Sequence, residues 1–113
     1  MKGWRGYRPT PRCRPVPGRM NKTEQAYAAH LEMRKRAGEI ADYRFEGLKL
    51  RLAEKTFYTP DFLVIAEHVE CHEVKGHWED DARAKIKVAA HQFPWFKFIA
   101  IQRRAGRWVV EVF

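Results

Sequence analysis

The sequence predicts an α/β fold in which a mixed central sheet is flanked by two helices. Apolar residues repeat at helical spacing in two stretches, and short apolar or alternating runs lie between and after them. Glycine or proline separates most of these segments. The predicted order is α-β-β-β-α-β-β, and the chain of 113 residues is long enough for one domain with one core.

The first predicted helix begins at Asn21 or Thr23, since either side chain can cap an N-terminus. Glu24 lies in its first turn, where an acidic side chain suits the helix dipole. Gly38 is the expected stop. The apolar face of this helix consists of Tyr27, Ala28 and Leu31.

Strands are predicted at Leu48–Leu52, where leucine alternates with basic residues, and at 61–66 and 69–75. A second helix runs from about Glu79 to Phe93, and Pro94 ends it. Two final strands follow, 96–102 and 108–113, with a turn containing Gly106 between them.

Residues 1–20 form a separate segment, which we interpret as a basic, disordered arm on the domain of residues 21–113. The arm holds six of the 22 lysines and arginines, none of the 14 acidic residues and four of the six prolines. A basic arm on a nearly neutral domain favours a polyanionic partner, although a solubilising tail would have the same composition. No apolar run is long enough to span a bilayer, and two cysteines suggest no disulfide framework, so a cytoplasmic protein is expected.

Two carboxylates and one ammonium group are expected at one end of the sheet. If strands 61–66 and 69–75 form a hairpin centred on Glu67, Asp61 lies opposite Glu73. Lys75 shares the face of Glu73, because alternate residues of a strand point the same way. The same register pairs Leu63 with Cys71 and Ile65 with Val69.

Opposed carboxylates destabilise a sheet unless a cation neutralises them. Mg²⁺ binds through one or two carboxylates, keeps several waters and accepts phosphate oxygens. Such an ion polarises a phosphodiester and activates water. Lys75 would orient or deprotonate that water and offset the charge of the transition state. Its pKa would fall on burial and rise beside the carboxylates, and the sequence leaves that balance open.

The motifs Pro60-Asp61 and Glu73-Val74-Lys75 resemble the signature of the PD-(D/E)XK nuclease superfamily. From Asn21 onward the chain resembles small phage and prophage proteins of that superfamily, through Asn21–Glu24, Phe57–Phe62 and Glu73–Gly76. The resemblance implies a restriction-endonuclease-like α-β-β-β-α-β core, extended here by a C-terminal strand.

The resemblance further implies that Asp61 and Glu73 bind the metal, with the main-chain oxygen of Val74, and that Lys75 is catalytic. Relatives of the Holliday-junction resolvase and phage T7 endonuclease I type also use a glutamate on the first helix. Glu24 matches that glutamate, although its place in the first turn also explains it as a helix-stabilising acid.

Other basic or metal-binding side chains carry weaker expectations. Zinc at His68, Cys71, His72 and His77 is disfavoured, because their spacing matches no common structural site. Candidate nucleic-acid contacts, each of which a solvated surface would also explain, are Arg12, Arg14, Arg19, Lys22, His77, Lys85 and Lys87.

The residues and the resemblance together favour a Mg²⁺-dependent endodeoxyribonuclease. The resemblance further implies that a phage or prophage encodes the protein and that it acts on branched, flap or junction DNA in recombination or replication. Mn²⁺ is expected to substitute, and a homodimer would suit the cutting of two strands. The alternatives are a non-catalytic nucleic-acid-binding protein and a subunit of a larger recombination complex.

Overall fold

The computed structural model describes residues 18–76 and 80–113, so most of the basic arm, with Arg12 and Arg14, and also His77 lie outside the described residues. In chain order the elements are α1 (Lys22–Arg36), β1 (Asp42–Phe45), β2 (Leu50–Ala53), β3 (Thr56–Tyr58), β4 (Phe62–Ile65), β5 (Val69–Lys75), α2 (Asp80–Gln92), β6 (Lys97–Arg104) and β7 (Arg107–Val112).

The α1 helix begins and ends at the residues that the sequence indicates. Asn21 accepts a hydrogen bond from the Glu24 backbone N–H at 2.8 Å, and Glu24 Oε1 accepts one from the Asn21 N–H at 2.9 Å. This reciprocal pair is a capping box, which satisfies two N–H groups that a helix start leaves free. After Ala37, Gly38 takes a φ of 82°, a conformation that costs glycine little.

Five strands form one mixed sheet in the order β1-β4-β5-β6-β7. The β5–β6 pair is parallel, connected through α2, and the other three pairs are antiparallel. The prediction of a mixed sheet with two helices is therefore confirmed. Among the described residues, no helix is long and apolar enough to cross a membrane.

The predicted identity of the first sheet strand is wrong. The strand beside β4 is β1, whereas the predicted Leu48–Leu52 strand is largely β2, which pairs with β3 in a separate two-stranded sheet. In β1, Tyr43 and Phe45 alternate with the charged Asp42 and Arg44, a short signal that the prediction missed, whereas the three residues of β3 are recognisable only through their partner. The strand predicted from Asp61 begins one residue later, at Phe62.

The two faces of the sheet support separate apolar clusters. The face that we call the α1 face carries Phe62, Val64, Val74, Ile99 and Ile101, which pack with Tyr27 and Leu31 of α1. The opposite α2 face carries Cys71 and Phe98, which pack with Ile86 and Ala89 of α2 and with Leu50, Leu52 and Tyr58 of the small sheet. Residues of β5 alternate between these faces, as a strand requires.

Candidate active site

The β4–β5 hairpin has the register that the sequence predicts. Leu63 pairs with Cys71 and Ile65 with Val69, and the last pair at the open end is Phe62 with His72. One step further, the same register brings Asp61 opposite Glu73. The backbone of Asp61 is fixed from the other side, since its carbonyl accepts a 2.8 Å hydrogen bond from the N–H of Glu46.

Glu73 is buried, and each of its carboxylate oxygens has a partner. Tyr58 donates its hydroxyl to Oε1 at 2.7 Å, and Nζ of Lys75 lies 2.9 Å from Oε2. The Tyr58 ring belongs to the cluster on the α2 face, so β3 supplies a donor to a strand with which it does not pair. Burial and the Glu73 charge raise the pKa of Tyr58, which keeps its hydroxyl protonated as a donor.

Asp61 turns its side chain toward β5. Its Oδ2 accepts a 2.8 Å hydrogen bond from the backbone N–H of Val74. Burial, and next the negative charge of Glu73, raise the pKa of Asp61 above its ordinary value, while the Val74 N–H and Lys75 act in the opposite direction. An ionised pair of carboxylates is therefore costly here without a further positive charge.

Lys75 is a partly exposed ammonium group beside both carboxylates. Burial acts to lower its pKa, but the charges of Glu73, Asp61 and Glu24 together outweigh burial, and the pKa is raised. The sequence leaves open whether burial or the carboxylates determine the pKa of Lys75, and in the structure the carboxylates do. Lys75 is a charged donor at neutral pH.

Glu24 approaches the same end of the sheet from α1. Its charge raises the pKa of both Asp61 and Lys75, which indicates proximity to them. The hydrogen bond that the structure gives its carboxylate is the one to Asn21, so the capping explanation for this residue holds. Its second carboxylate oxygen is not needed for the cap.

Val74 presents its backbone toward Asp61. Because N–H and C=O of one residue in a strand point to the same side, the Val74 carbonyl lies on the side where its N–H meets Asp61. In the hairpin register, residue 60 would face Val74, and Pro60 has no N–H to donate. The sheet thus gives this carbonyl no donor from residue 60.

Within residues 18–76 and 80–113, no group of three or more histidine, cysteine, aspartate and glutamate side chains has the arrangement of a metal site. Asp61 and Glu73 form a pair, and the third oxygen within the hairpin is a main-chain one. Cys71 and His72 point to opposite faces, and burial raises the pKa of the Cys71 thiol to about 12.

The other basic candidates that the structure describes are surface residues. Arg19, Lys22, Lys85 and Lys87 are all exposed. Lys85 lines an open groove of about 570 Å³ between α2 and the β2–β3 hairpin, on the α2 face.

Two buried side chains near the site escape the sequence reasoning. Tyr58 lies in a stretch that carries the family resemblance, but it receives no role there. His72 is the second: it hydrogen-bonds the Tyr27 hydroxyl through Nδ1 and Glu70 through Nε2, both at 2.7 Å. This network lies on the α1 face, away from Glu73.

The chain matches no protein-family model, no curated protein and no solved structure. The site must therefore be interpreted from its own geometry.

Proposed function

We propose that this protein is a Mg²⁺-dependent endodeoxyribonuclease whose catalytic centre is formed by Asp61, Glu73 and Lys75. The observation that carries the proposal is the hairpin register of β4 and β5, which sets the partly buried carboxylate of Asp61 opposite the buried one of Glu73, with an ammonium group on the same face. Few structural roles require two carboxylates to face each other, because they repel. A binding site for a divalent cation does require such a pair.

The donor set suits a hard cation. Asp61, Glu73 and the carbonyl of Val74 offer oxygen only, and Mg²⁺ takes one or two carboxylates together with water and substrate oxygens. Glu24 would add a third carboxylate from α1, directly or through a water. A bound ion would polarise the phosphodiester and lower the pKa of a bound water.

The remaining groups have roles that follow from their contacts. Tyr58 holds Glu73 in one orientation through its 2.7 Å hydrogen bond. Lys75, charged and about one third exposed, is placed to hold the attacking water and to offset negative charge that develops on the phosphate. Its raised pKa favours this electrostatic role over that of a general base.

The topology supports a restriction-endonuclease-like core. Without the β2–β3 hairpin, the elements α1, β1, β4, β5, α2 and β6 have the order α-β-β-β-α-β. The hairpin is then an insertion that brings Tyr58 to the site, and β7 is the C-terminal addition. Fold likeness alone does not specify chemistry, so the side chains carry the argument.

DNA is the proposed substrate, with branched, flap or junction structures preferred by analogy with resolvase-like enzymes. The charges of the chain agree with this, since the formal net charge is +8 and Lys85 and Lys87 are exposed on α2. A phage or prophage origin and action in recombination or replication in the host cytoplasm belong to the same proposal.

The test is cleavage of branched, single-stranded and duplex DNA with Mg²⁺ or Mn²⁺. Asp61→Asn, Glu73→Gln and Lys75→Met should each lower the rate by about 10²-fold or more, the loss typical of removing a charge-stabilising group. Glu67→Gln is the matched control, because Glu67 is an exposed acid in the loop of the same hairpin. Full activity of Asp61→Asn would disprove the proposed centre.

A non-catalytic nucleic-acid-binding protein is the second candidate, including a subunit of a larger recombination complex. It is favoured by the finding that the described residues hold no group of three metal-binding side chains. Calorimetric titration with Mg²⁺ separates the two, since a pure binder should show no metal site that depends on Asp61 and Glu73.

A further inference from the structure

Among residues 18–76 and 80–113, the outer side of β7 is an open strand edge. The Ala105-Gly106 turn has positive φ at both residues, 49° and 76°, which is the conformation of a two-residue hairpin turn. In such a turn the flanking pair, Arg104 with Arg107, exchanges both backbone hydrogen bonds. The peptide groups of residues 107, 109 and 111 therefore point to β6, and those of 108, 110 and 112 point outward.

This edge lacks the features that usually prevent strand pairing. The β7 strand has six residues in unbroken register, without proline, lysine or a bulge. Val109, Val110 and Val112 are 45%, 57% and 57% exposed. By contrast, β1 at the other edge has only four residues, two of them charged, Asp42 and Arg44, whereas β7 has two charged residues among six, Arg107 and Glu111. In the part of the chain that the structure describes, no strand pairs with the outer side of β7.

We propose that a second copy of this chain pairs with β7 in antiparallel orientation, with Val109 opposite Val109 of the partner subunit. The sequence of β7, Arg-Trp-Val-Val-Glu-Val, is complementary to itself in this register. Arg107 then lies opposite the partner's Glu111, and Trp108 lies opposite the partner's Val110. Opposite charges and aromatic–β-branched pairs are both stabilising cross-strand neighbours.

In this register, the two residues of each pair lie on the same face of the sheet. Val110 and Trp108 lie on the α1 face, because they pair with Ile101 and Arg103 of β6. There the partner's Val110 would join a pocket of about 260 Å³ that Trp108 and Val110 already line. On the α2 face, Glu111 is held by Arg83 at 2.6 and 2.9 Å, and its carboxylate has acceptor sites left for the partner's Arg107.

The dimer is a continuous ten-stranded sheet, with its two-fold axis perpendicular to the sheet. Both α2 faces are then on one side. The two β5 strands are separated by five strand intervals, about 24 Å across the sheet. The interface does not depend on the phosphodiester chemistry proposed above, and its test is independent of cleavage.

The first experiment is the mass of the full chain by light scattering or sedimentation. We expect twice the 13.4 kDa of one chain. Val110→Pro should give the monomer mass, because proline removes an outward N–H that β6 does not use but the partner strand would. Val110→Thr retains that N–H and the branched side chain and should remain dimeric. Circular dichroism of both variants shows whether each is folded.

The second experiment tests the register by cross-linking in a Cys13→Ser background. Val109→Cys places two thiols opposite each other in a non-hydrogen-bonded pair, with Cα atoms about 4.5 Å apart, within disulfide range. It should cross-link on mild oxidation. Val112→Cys, on an equally open part of β7, should not, since the two copies of residue 112 lie about 20 Å apart along the strand.

Four outcomes would overturn the proposal or its register. The first is a full chain that has the monomer mass at all concentrations. The second is a folded Val110→Pro variant that remains dimeric, which would place the interface elsewhere. The third is a full chain that is monomeric but dimerises when residues 1–17 are removed. That result would mean that residues 1–17 cover the β7 edge in the full chain. The fourth is cross-linking through Val110→Cys instead of Val109→Cys, which would replace the register by one centred on Val110.

Discussion

Tyr58 donates its hydroxyl to Glu73 at 2.7 Å, although these residues lie on strands of two different sheets. The contact joins the β2–β3 hairpin to the strand that carries the candidate catalytic pair. It also anchors the small sheet to that strand, since a two-stranded hairpin is only marginally stable alone. The orientation of Glu73 therefore depends on a segment outside the five-stranded sheet.

Removing this hydroxyl should weaken both the fold and the proposed metal site. Tyr58→Phe leaves a buried carboxylate oxygen without its donor, and we expect a loss of about 1–3 kcal/mol in the free energy of unfolding, measured with urea. The Mg²⁺ concentration for half-maximal cleavage should rise several-fold. Tyr43→Phe is the control, because the Tyr43 hydroxyl donates to Glu32, away from the site. Equal metal dependence in the two variants would argue against an orienting role for Tyr58.

Above pH 4.5, where the carboxyl groups with lowered pKa values are already ionised in both states, the stability of the metal-free protein should fall as the pH rises, and Asp61 should be the cause. Burial and Glu73 raise the pKa of folded Asp61 above the ordinary 3.8, so the folded state holds its proton longer than the unfolded chain does. This contribution is complete below pH 3.8 and is lost as the pH rises through the folded pKa. Each pKa unit of the difference corresponds to about 1.4 kcal/mol.

Denaturant melts in EDTA at a series of pH values measure this decline. Asp61→Asn should remove it and should also be more stable than the parent protein at neutral pH without metal. Asp42→Asn is the contrasting variant, because a backbone hydrogen bond from Tyr43 lowers the pKa of the partly exposed Asp42. A decline that persists in Asp61→Asn would show that another group is responsible.

Glu24 has a structural and a proposed catalytic role that one substitution can separate. Glu24→Gln keeps an oxygen for the Asn21 N–H and should leave the melting temperature nearly unchanged. If Glu24 helps to hold the metal, Mg²⁺ affinity should fall about tenfold, as expected for a supporting ligand. Asn21→Ala is the converse control, expected to cost about 1 kcal/mol of stability. Unchanged Mg²⁺ affinity in Glu24→Gln would leave capping of α1 as the role of Glu24.

The network on the α1 face should serve stability and not cleavage. Tyr27→Phe removes the hydroxyl that contacts buried His72, and we expect a loss of about 1–3 kcal/mol in the free energy of unfolding. The cleavage rate per folded molecule should change less than twofold, because His72 points away from Glu73. A large fall in that rate, measured where the variant is fully folded, would assign the network to the active site.

The sequence predicted the parts of the fold that have a clear local pattern. The caps of α1 follow from Asn21, Glu24 and Gly38, and the β4–β5 register follows from alternation about a short loop. The candidate site was accessible for the same reason, since Asp61, Glu73 and Lys75 are related through that one hairpin.

What the sequence could not show depends on contacts between distant segments. The three-residue β3 has no period of its own, and the alternation of β1 covers only four residues, so each strand is defined by the strand beside it. The Tyr58–Glu73 bond joins residues 15 positions apart through two sheets. The partners of His72 come from α1 and from its own strand, and alternation alone does not reveal that its face is occupied by Tyr27.

The alternation of β5 makes this strand intolerant of changes in length. Glu73 faces Tyr58 on one side of the sheet, while His72 faces Tyr27 on the other. A deletion or insertion of one residue ahead of this pair would exchange the two sides, placing a carboxylate among the apolar residues under α1. Substitutions in β5 act on one network at a time, but a single change in chain length would disrupt both together.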